Sequence, residues 1–304
     1  MLTRRQFIAT STSGLIASYI PSLVHGAVKQ SRFNNPLGLQ LFAIRAELTK
    51  DFAGTLQRVA NMGFKEIEFA GYSGKTAEEI KRVADSLNLR CISGHHGGTD
   101  LETRAEEILD FAATLGLQSI VCSTPKSLNA ENKKLPWNDY MHSFTRDDWK
   151  ANAEIFNRFG EQAAKRNIQF AYHNYCTEFG NQDGFVPYDE LMRLTDKQFV
   201  KIQLDCGWAE VAGASPLVLL REHKDRVTSL HLKDLKTKPQ SIKPENTPNV
   251  PLGQGIMDWP ALLQQALNIG INHYFLEQEP PYIEPIFESL QASIKYLSDV
   301  TLVR

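Results

Sequence analysis

The stretches that decide the fold are VKIQLD at residues 200–205, RVTSLHL at 226–232 and HYFLEQ at 273–278. Each is a short apolar run of the kind that forms a buried strand. Within or at the end of each run stands a residue that can bind a proton or a metal ion, namely Asp205, His231 and Glu277. Parallel neighbouring strands would bring their carboxyl ends together at the mouth of a barrel. The repeated placement therefore predicts one shared site.

Five further apolar runs have a similar length. They are LGLQLFA ending at residue 43, KEIEFA at 65–70, LRCISGH at 89–95, SIVCS at 119–123 and IQFAYHN at 168–174. Segments with helical spacing lie between the runs, among them Asp51–Asn61, Thr76–Leu87 and Leu101–Leu115. Alternating strands and helices predict an α/β protein, a single (β/α)8 TIM barrel over residues 28–304.

An open, doubly wound sheet is the alternative fold. It is disfavoured because GLQLFAIR at 38–45 places Gln40 and Arg45 where a glycine-rich phosphate loop would follow the first strand. Two loops, 124–146 and 235–257, are longer than a barrel needs and lie on its predicted catalytic side. The first carries aromatic side chains suited to a lid over a ring, with surface elaboration as the alternative: Trp137, Tyr140 and Phe144.

The N-terminal residues 1–27 predict an export signal outside the folded domain. Residues 3–8, Thr-Arg-Arg-Gln-Phe-Ile, resemble a twin-arginine signal, and the apolar stretch after them is too short and polar for a stable membrane span. The expected location is the periplasm, with no membrane attachment after export. A basic disordered tail is the alternative. The formal net charge of −2 gives no reason to expect nucleic acid as a partner.

The chain has four cysteines, at positions 91, 122, 176 and 206, without CxxC spacing. An oxidising destination permits disulfides. Their positions in or beside predicted strands favour small buried side chains instead.

The strand-end residues predict a metal site. Singly, Asp205 could cap a helix, His231 could form a hydrogen bond and Glu277 could be solvated, but all three share one register. A mixed carboxylate and imidazole set suits one divalent ion: Mn²⁺, Co²⁺, Mg²⁺ or Zn²⁺. Such an ion can hold two neighbouring sugar oxygens and stabilise an enediolate while a carboxylate moves a proton.

Five motifs in order resemble the sugar phosphate isomerase/epimerase family of the xylose-isomerase-like barrel superfamily. They are YHNYCTEF at 172–179, LDCGWA at 204–209, HLKD at 231–234, LGQGIMDW at 252–259 and YFLEQE at 274–279. The resemblance implies a divalent metal on the barrel axis, bound by Asp205, His231 and Glu277. His173 stands where many members carry a glutamate that binds metal and acts as a base. The implied site has two histidines and two carboxylates, with Glu178 either as a free base beside the catalytic Glu277 or as a contact to a substrate hydroxyl.

Other candidates surround this set. Lys233 could neutralise an oxyanion as a catalytic residue, with a solvated lysine as the alternative. Of the neighbouring histidines at 95 and 96, we expect His95 to face the pocket and bind substrate, while the other packs or caps a helix. Gln40, Glu68 and Trp208 are further candidate substrate contacts, although Glu68 could form a structural ion pair and Trp208 could pack in the core.

The sequence therefore predicts a metal-dependent isomerase or epimerase that works through an enediolate on a small, non-phosphorylated carbohydrate. Export argues against a phosphorylated sugar. A lyase or hydratase acting on a 3-keto-glycoside is the close alternative, and a non-catalytic sugar-binding barrel is another. Metal-dependent DNA repair, as in the endonuclease IV enzymes, is disfavoured because a trinuclear zinc cluster needs more ligands than this chain offers. The sequence is compatible with a monomer and with a homo-oligomer.

Overall fold

A computed structural model describes residues 30–238, 248–280 and 282–303. Eight parallel strands close into a barrel, and each strand pairs with its neighbours in chain order. They are β1 Leu37–Gln40, β2 Glu66–Phe69, β3 Arg90–Gly97, β4 Ser119–Thr124, β5 Gln169–His173, β6 Val200–Asp205, β7 Val227–Leu232 and β8 His273–Leu276. The predicted TIM barrel and all eight of its strands are confirmed.

Helices surround the barrel and cover its outer face. Their bounds are Arg45–Lys50, Phe52–Met62, Ala77–Ser86, Gly98–Thr103, Ala105–Leu115, Trp137–His142, Arg146–Ala164, Pro187–Leu194, Cys206–Val211, Pro216–Glu222, Trp259–Asn268 and Ile286–Asp299. Gly63 and Gly116 end two of them in the left-handed conformation, with φ of 106° and 82°. Glycine adopts this conformation without steric cost, which explains why both helices stop there.

Two expectations about these segments were wrong. The segment predicted as one helix over Leu101–Leu115 is two helices, because Arg104 has φ −132° and ψ 27° and interrupts the helical backbone. The loop 124–146 contains the helix Trp137–His142 and a 3-10 turn at Ala130–Lys134. Periodicity could not predict pieces this short, because one or two turns carry too few apolar positions.

The described parts of the chain contain a few features outside the barrel. Strand Gln30–Arg32 pairs antiparallel with Thr301–Val303, and Asp234–Leu235 pairs with Asn249–Val250.

All four cysteines are free thiols, in agreement with the interpretation as small core residues. No helix in these ranges is long and apolar enough to cross a membrane. The predicted signal at 1–27 and part of the loop 235–257 lie outside the described residues.

Candidate metal centre and active site

The four predicted metal ligands lie together at the carboxyl end of the barrel. Asp205 and His231 are register partners on β6 and β7. His173 is the last residue of β5, and Glu277 directly follows the last residue of β8. Each offers one ligand atom, and these four atoms lie within 4.8 Å of one another. The strand ends therefore bring the predicted set into one place.

The distances within this group are short. The Nε2 atom of His173 lies 3.1 Å from Nδ1 of His231, which lies 2.9 Å from Oε2 of Glu277. The Oδ2 atom of Asp205 is 3.6 Å from His173 Nε2 and 3.7 Å from His231 Nδ1. Two ring nitrogens this close to each other and to two carboxylates require a proton or a cation among them.

Burial and neighbouring charges shift the pKa values of His173 and His231 in opposite directions. Burial, reinforced by repulsion from His231, lowers the pKa of His173 to about 4. Burial also opposes the charged form of His231, but Glu277 and Glu68 outweigh it and raise its pKa to about 10. His173 is therefore neutral near pH 7, which is the form of histidine that binds a metal. His231 would have to give up its extra proton to hold a cation.

Lys233 fixes the carboxylate ligands from behind. Its side chain is fully buried, and its Nζ lies 3.0 Å from both Asp205 Oδ2 and Glu277 Oε2 and also bonds Glu279. Burial disfavours its charge, but these three carboxylates hold its pKa well above the usual value. The ammonium also stands 4.3 Å above the ring of Trp208, a cation–π distance.

Glu68 lies beneath the ligands, at the floor of the site. Its Oε1 is 2.5 Å from His231 Nε2 and accepts from Gln40 Nε2 at 2.7 Å, while Oε2 accepts from Gln203 Nε2 at 2.6 Å. Attraction and hydrogen bonds from His95 and His231 overcome burial and hold the pKa of Glu68 well below its usual value. Glu68 thus orients His231 so that Nδ1 faces the ligand group, as carboxylates commonly do behind metal-binding histidines.

The residues present fit a divalent cation. The Oδ2 atom of Asp205 is buried and has no well-aligned hydrogen-bond donor among the described residues, and its nearest charged neighbour is the Lys233 ammonium at 3.0 Å. The site also gathers four carboxyl groups, Glu68, Asp205, Glu277 and Glu279, around two cationic groups, Lys233 and the protonated His231. Buried negative charge without a partner is costly, and a divalent ion would offset it. Two imidazoles and two carboxylates suit the ions that the sequence predicts.

A cavity of about 430 Å³ opens beside these ligands. Its lining includes two of the ligands, His173 and Glu277, and three of the predicted substrate contacts, Gln40, His95 and Trp208. His96 also lines it and bonds the hydroxyl of Tyr72 at 3.1 Å. Lys233 and Glu68 are not among the lining residues and act on the site through others.

Among the lining residues that were missed from the sequence, Glu279 and Tyr175 make the contacts that matter most for the site. Glu279 bonds Lys233 and accepts from Trp208 Nε1 at 3.0 Å, and burial raises its pKa. Its spacing of two from Glu277, in an extended segment, was a usable signal because alternate residues share a side. Tyr175 packs 4.6 Å from the Trp208 ring and donates to Asn138 Oδ1 at 2.8 Å. No pattern in the sequence pointed to Tyr175.

Glu178 lies away from this cavity. The buried carboxylate accepts hydrogen bonds from the Tyr172 hydroxyl at 2.7 Å, Tyr175 N at 2.7 Å and the Thr177 hydroxyl at 2.9 Å. It is not among the residues that line the cavity, and burial raises its pKa. This placement favours a role in holding the turn that carries Tyr175, and we assign Glu178 no chemical step.

Known proteins share both the sequence pattern and the fold. An inosose dehydratase of Clostridium beijerinckii is 25% identical over 272 residues, which cover 82% of this chain and 90% of that protein. An inosose dehydratase of Clostridium botulinum is 26% identical over 192 residues, and this match covers 61% of this chain and 64% of that protein's length.

Solved structures agree on the architecture. A sugar phosphate isomerase/epimerase from Parabacteroides distasonis superposes with a TM-score of 0.69 at 24% identity, covering 87% of this chain and 93% of that one. The IOLI protein, solved with a zinc atom bound, has a TM-score of 0.66 at 14% identity and covers 87% and 97%. The profile of the xylose isomerase-like TIM barrel family matches residues 56–300. This protein belongs to the xylose isomerase-like TIM barrel family.

Proposed function

We propose that this protein is a divalent-metal-dependent lyase for a polyhydroxylated ring that carries a ketone, such as a keto-cyclitol or an oxidised sugar. The observation that carries the proposal is the group of four buried ligand atoms within 4.8 Å, beside a cavity of about 430 Å³. This volume lies in the usual range for small-molecule sites. The inosose dehydratase relatives support elimination as the reaction.

The ion would be held by His173, Asp205, His231 and Glu277. A divalent ion at these ligands would act as a Lewis acid. It would polarise a ketone oxygen and stabilise the negative charge that develops on it. The zinc atom in the related IOLI structure makes zinc the first ion to test, with manganese, cobalt and magnesium beside it.

The chain itself supplies the proton transfers. Lys233 and His231 outweigh burial and keep Glu277 ionised, with a pKa well below its usual range, so its carboxylate can accept a proton from the carbon next to the ketone. Burial raises the pKa of Glu279, so this carboxyl can hold a proton for the departing oxygen. In the elimination a C–H and a C–O bond break, a C=C bond forms, and the leaving hydroxide departs as water.

The remaining lining residues position the ring. Gln40 and His95 offer polar atoms at the cavity wall, and Trp208 offers an apolar face beside Tyr175. Alternating polar and apolar faces are what a ring with hydroxyl groups needs for binding.

The experiment is an elimination assay with 2-keto-myo-inositol and with 3-keto-glucosides. Metal-stripped protein is reconstituted with each of the four ions, and the conjugated enone product is followed by its ultraviolet absorbance. We expect product only with metal. Absence of product and of proton exchange with every ion and every substrate would overturn the proposal.

An isomerase or epimerase is the second candidate, supported by the sugar phosphate isomerase/epimerase among the structural neighbours. It would remove the same proton and return it without loss of the neighbouring oxygen. Incubation in D₂O separates the two, because a lyase forms an enone whereas an isomerase exchanges deuterium into a saturated product. A binding protein would do neither.

We also propose that the protein is exported through its twin-arginine segment, which supports a non-phosphorylated substrate. Replacement of Arg4 and Arg5 by lysine should retain the protein inside the cell, measured by fractionation. Equal periplasmic amounts of the variant and the parent protein would contradict this.

A further inference from the structure

A second cavity, of about 410 Å³, lies against the first. Gly97, Thr124 and Trp137 line both cavities. The two spaces are therefore neighbouring compartments of one binding region, with the Trp137 side chain at their junction. Each has the volume of a small-molecule site, so a single ring beside the metal ligands leaves the second compartment unfilled.

The walls of the second compartment suit a sugar ring. Trp137 and Leu135, which are 43% and 41% exposed, both line this compartment and give it an apolar wall open to solvent. The Lys133 ammonium, which also lines the compartment, donates to the Thr99 hydroxyl at 3.3 Å. An indole face beside hydroxyl and ammonium groups matches a ring with an apolar C–H face and a rim of hydroxyls.

The loop that forms one wall is fixed in place before any ligand binds. The Tyr140 hydroxyl donates to Pro125 O at 2.7 Å, and Asn152 bonds both the N–H and the C=O of Lys126 at 2.8 Å. Asp148 accepts from Leu128 N at 2.6 Å. Because three buried side chains hold this loop, little ordering is required for binding.

Gly97 marks the passage between the compartments. Its φ of −83° and ψ of 151° suit any residue, so the backbone does not require glycine. A Cβ built there meets no atom nearer than Thr124 O at 3.8 Å, so packing does not require glycine either. At the next residue, Gly98, a Cβ would come within 2.9 Å of Lys126 N. The small residue at 97 is explained by the continuous space it leaves open.

We propose that the second compartment binds a second sugar ring, joined through oxygen to the ketone-bearing ring at the metal ligands. This inference rests on the proposed function and names its substrate class as a keto-glycoside with a sugar leaving group. Loss of a proton from C2 of a 3-keto ring breaks the C1–O bond and forms a C1=C2 double bond. The departing oxygen takes up one proton, so the second ring leaves as a free sugar.

The test compares one-ring and two-ring probes on the full-length, metal-loaded protein. Methyl β-glucoside and cellobiose measure binding without turnover, by calorimetry, and their 3-keto derivatives measure kcat/KM. We expect the two-ring probes to give at least a tenfold lower Kd and a tenfold higher kcat/KM. Equal values for the one-ring and two-ring probes would overturn the proposal.

Variants locate the effect in the second compartment. Gly97→Leu should narrow the passage and reduce the two-ring advantage at least tenfold, and Leu135→Ala should reduce it by removing part of the wall. Leu128→Ala is the matched control, since Leu128 is an exposed leucine of the same loop that lines neither cavity. A two-ring advantage that survives both Gly97→Leu and Leu135→Ala contradicts the assignment.

The two proposals can fail separately. Tighter binding of cellobiose with no elimination from any keto compound would remove the lyase function and keep the second subsite. Elimination with equal kcat/KM for the two keto derivatives would keep the lyase and remove the second subsite.

Discussion

Two buried carboxylates lie at the same mouth of the barrel and are bonded very differently. Asp234 accepts from the backbone N–H groups of Leu235, Gly253, Gly255 and Met257 and from Trp259 Nε1, at 2.9 to 3.3 Å. Asp205 accepts one backbone hydrogen bond, from Trp208 N to Oδ1 at 2.7 Å, and its Oδ2 faces the Lys233 ammonium at 3.0 Å. The first carboxylate is saturated by fixed neutral donors, whereas the second belongs to a crowded charged group.

This difference separates a structural site from a functional one within a single short motif. HLKD supplies the candidate ligand His231, the positioning residue Lys233 and the structural Asp234. A carboxylate whose bonds are all satisfied inside the chain has nothing left for a ligand. A buried group with more carboxyl groups than cations can be stabilised by one further cation.

The largest expected effect is on activity at the unsaturated group. Glu277→Gln removes a ligand and the proposed base but fills the same space, so elimination should fall roughly 10³-fold or more. The unfolding free energy of the metal-free variant should also fall, by about 1–3 kcal/mol, because Lys233 and His231 lose a buried charged partner. Steady-state kinetics and urea unfolding measure the two quantities. Retained turnover would remove Glu277 from its proposed role.

At the saturated carboxylate, a loss of stability without a loss of metal binding is expected. Asp234→Ala leaves buried donors without an acceptor, so the unfolding free energy should fall by about 3 kcal/mol. Urea unfolding measures this loss. Metal binding by the fraction that stays folded should persist, because Asp234 is not one of the four ligands. If the loss of stability is below about 1 kcal/mol, the structural role of Asp234 is wrong.

Metal removal should affect thermal stability only where the four candidate ligands are intact, and a change at Asp234 should not alter this effect. Metal present at about 100 times its Kd stabilises the folded state by about 2.7 kcal/mol. A chelator should therefore lower the melting temperature of the parent protein and of Asp234→Asn, but hardly that of Glu277→Gln. Calorimetry with and without the chelator gives the comparison. An equal shift in all three proteins would contradict the assigned ligands.

The smallest expected effect is on the pH dependence of stability. It concerns His96, which belongs neither to the candidate ligands nor to the bonds around Asp234. Burial lowers its pKa from 6.5 to about 4. Unfolded His96 binds a proton below pH 6.5 but the folded form does not until about pH 4, so its contribution to stability is lost as pH falls through this window. We expect His96→Gln to reduce the acid-induced loss of stability by roughly 1 kcal/mol, allowing for partial exposure. Identical pH profiles for the variant and the parent protein would contradict this.

The fold and the clustering of the candidate ligands were accessible from sequence for one physical reason. In a parallel barrel, strand order and direction place every strand end at one mouth, so Asp205, His231 and Glu277 meet without further information. His173 was also predicted correctly as a neighbour, because its strand precedes theirs in the barrel.

Other features depend on details that a strand pattern does not contain. Glu178 follows a ligand strand closely in sequence, yet a tight turn directs it to Tyr172, Tyr175 and Thr177 instead of the cavity. The bonds of Asp234 come from a turn about twenty residues later and could not be anticipated from HLKD. The second compartment depends on a loop helix too short to show periodicity.

Metal stoichiometry is the most direct test of the central claim that the His173, Asp205, His231 and Glu277 group holds a divalent ion. Protein reconstituted with zinc or manganese is dialysed and its metal content measured by elemental analysis. We predict about one ion per chain for the parent protein and for Asp234→Asn, and a large loss for the double variant Asp205→Asn, Glu277→Gln. A parent protein that retains no ion, or a double variant that retains as much as the parent, would contradict the claim.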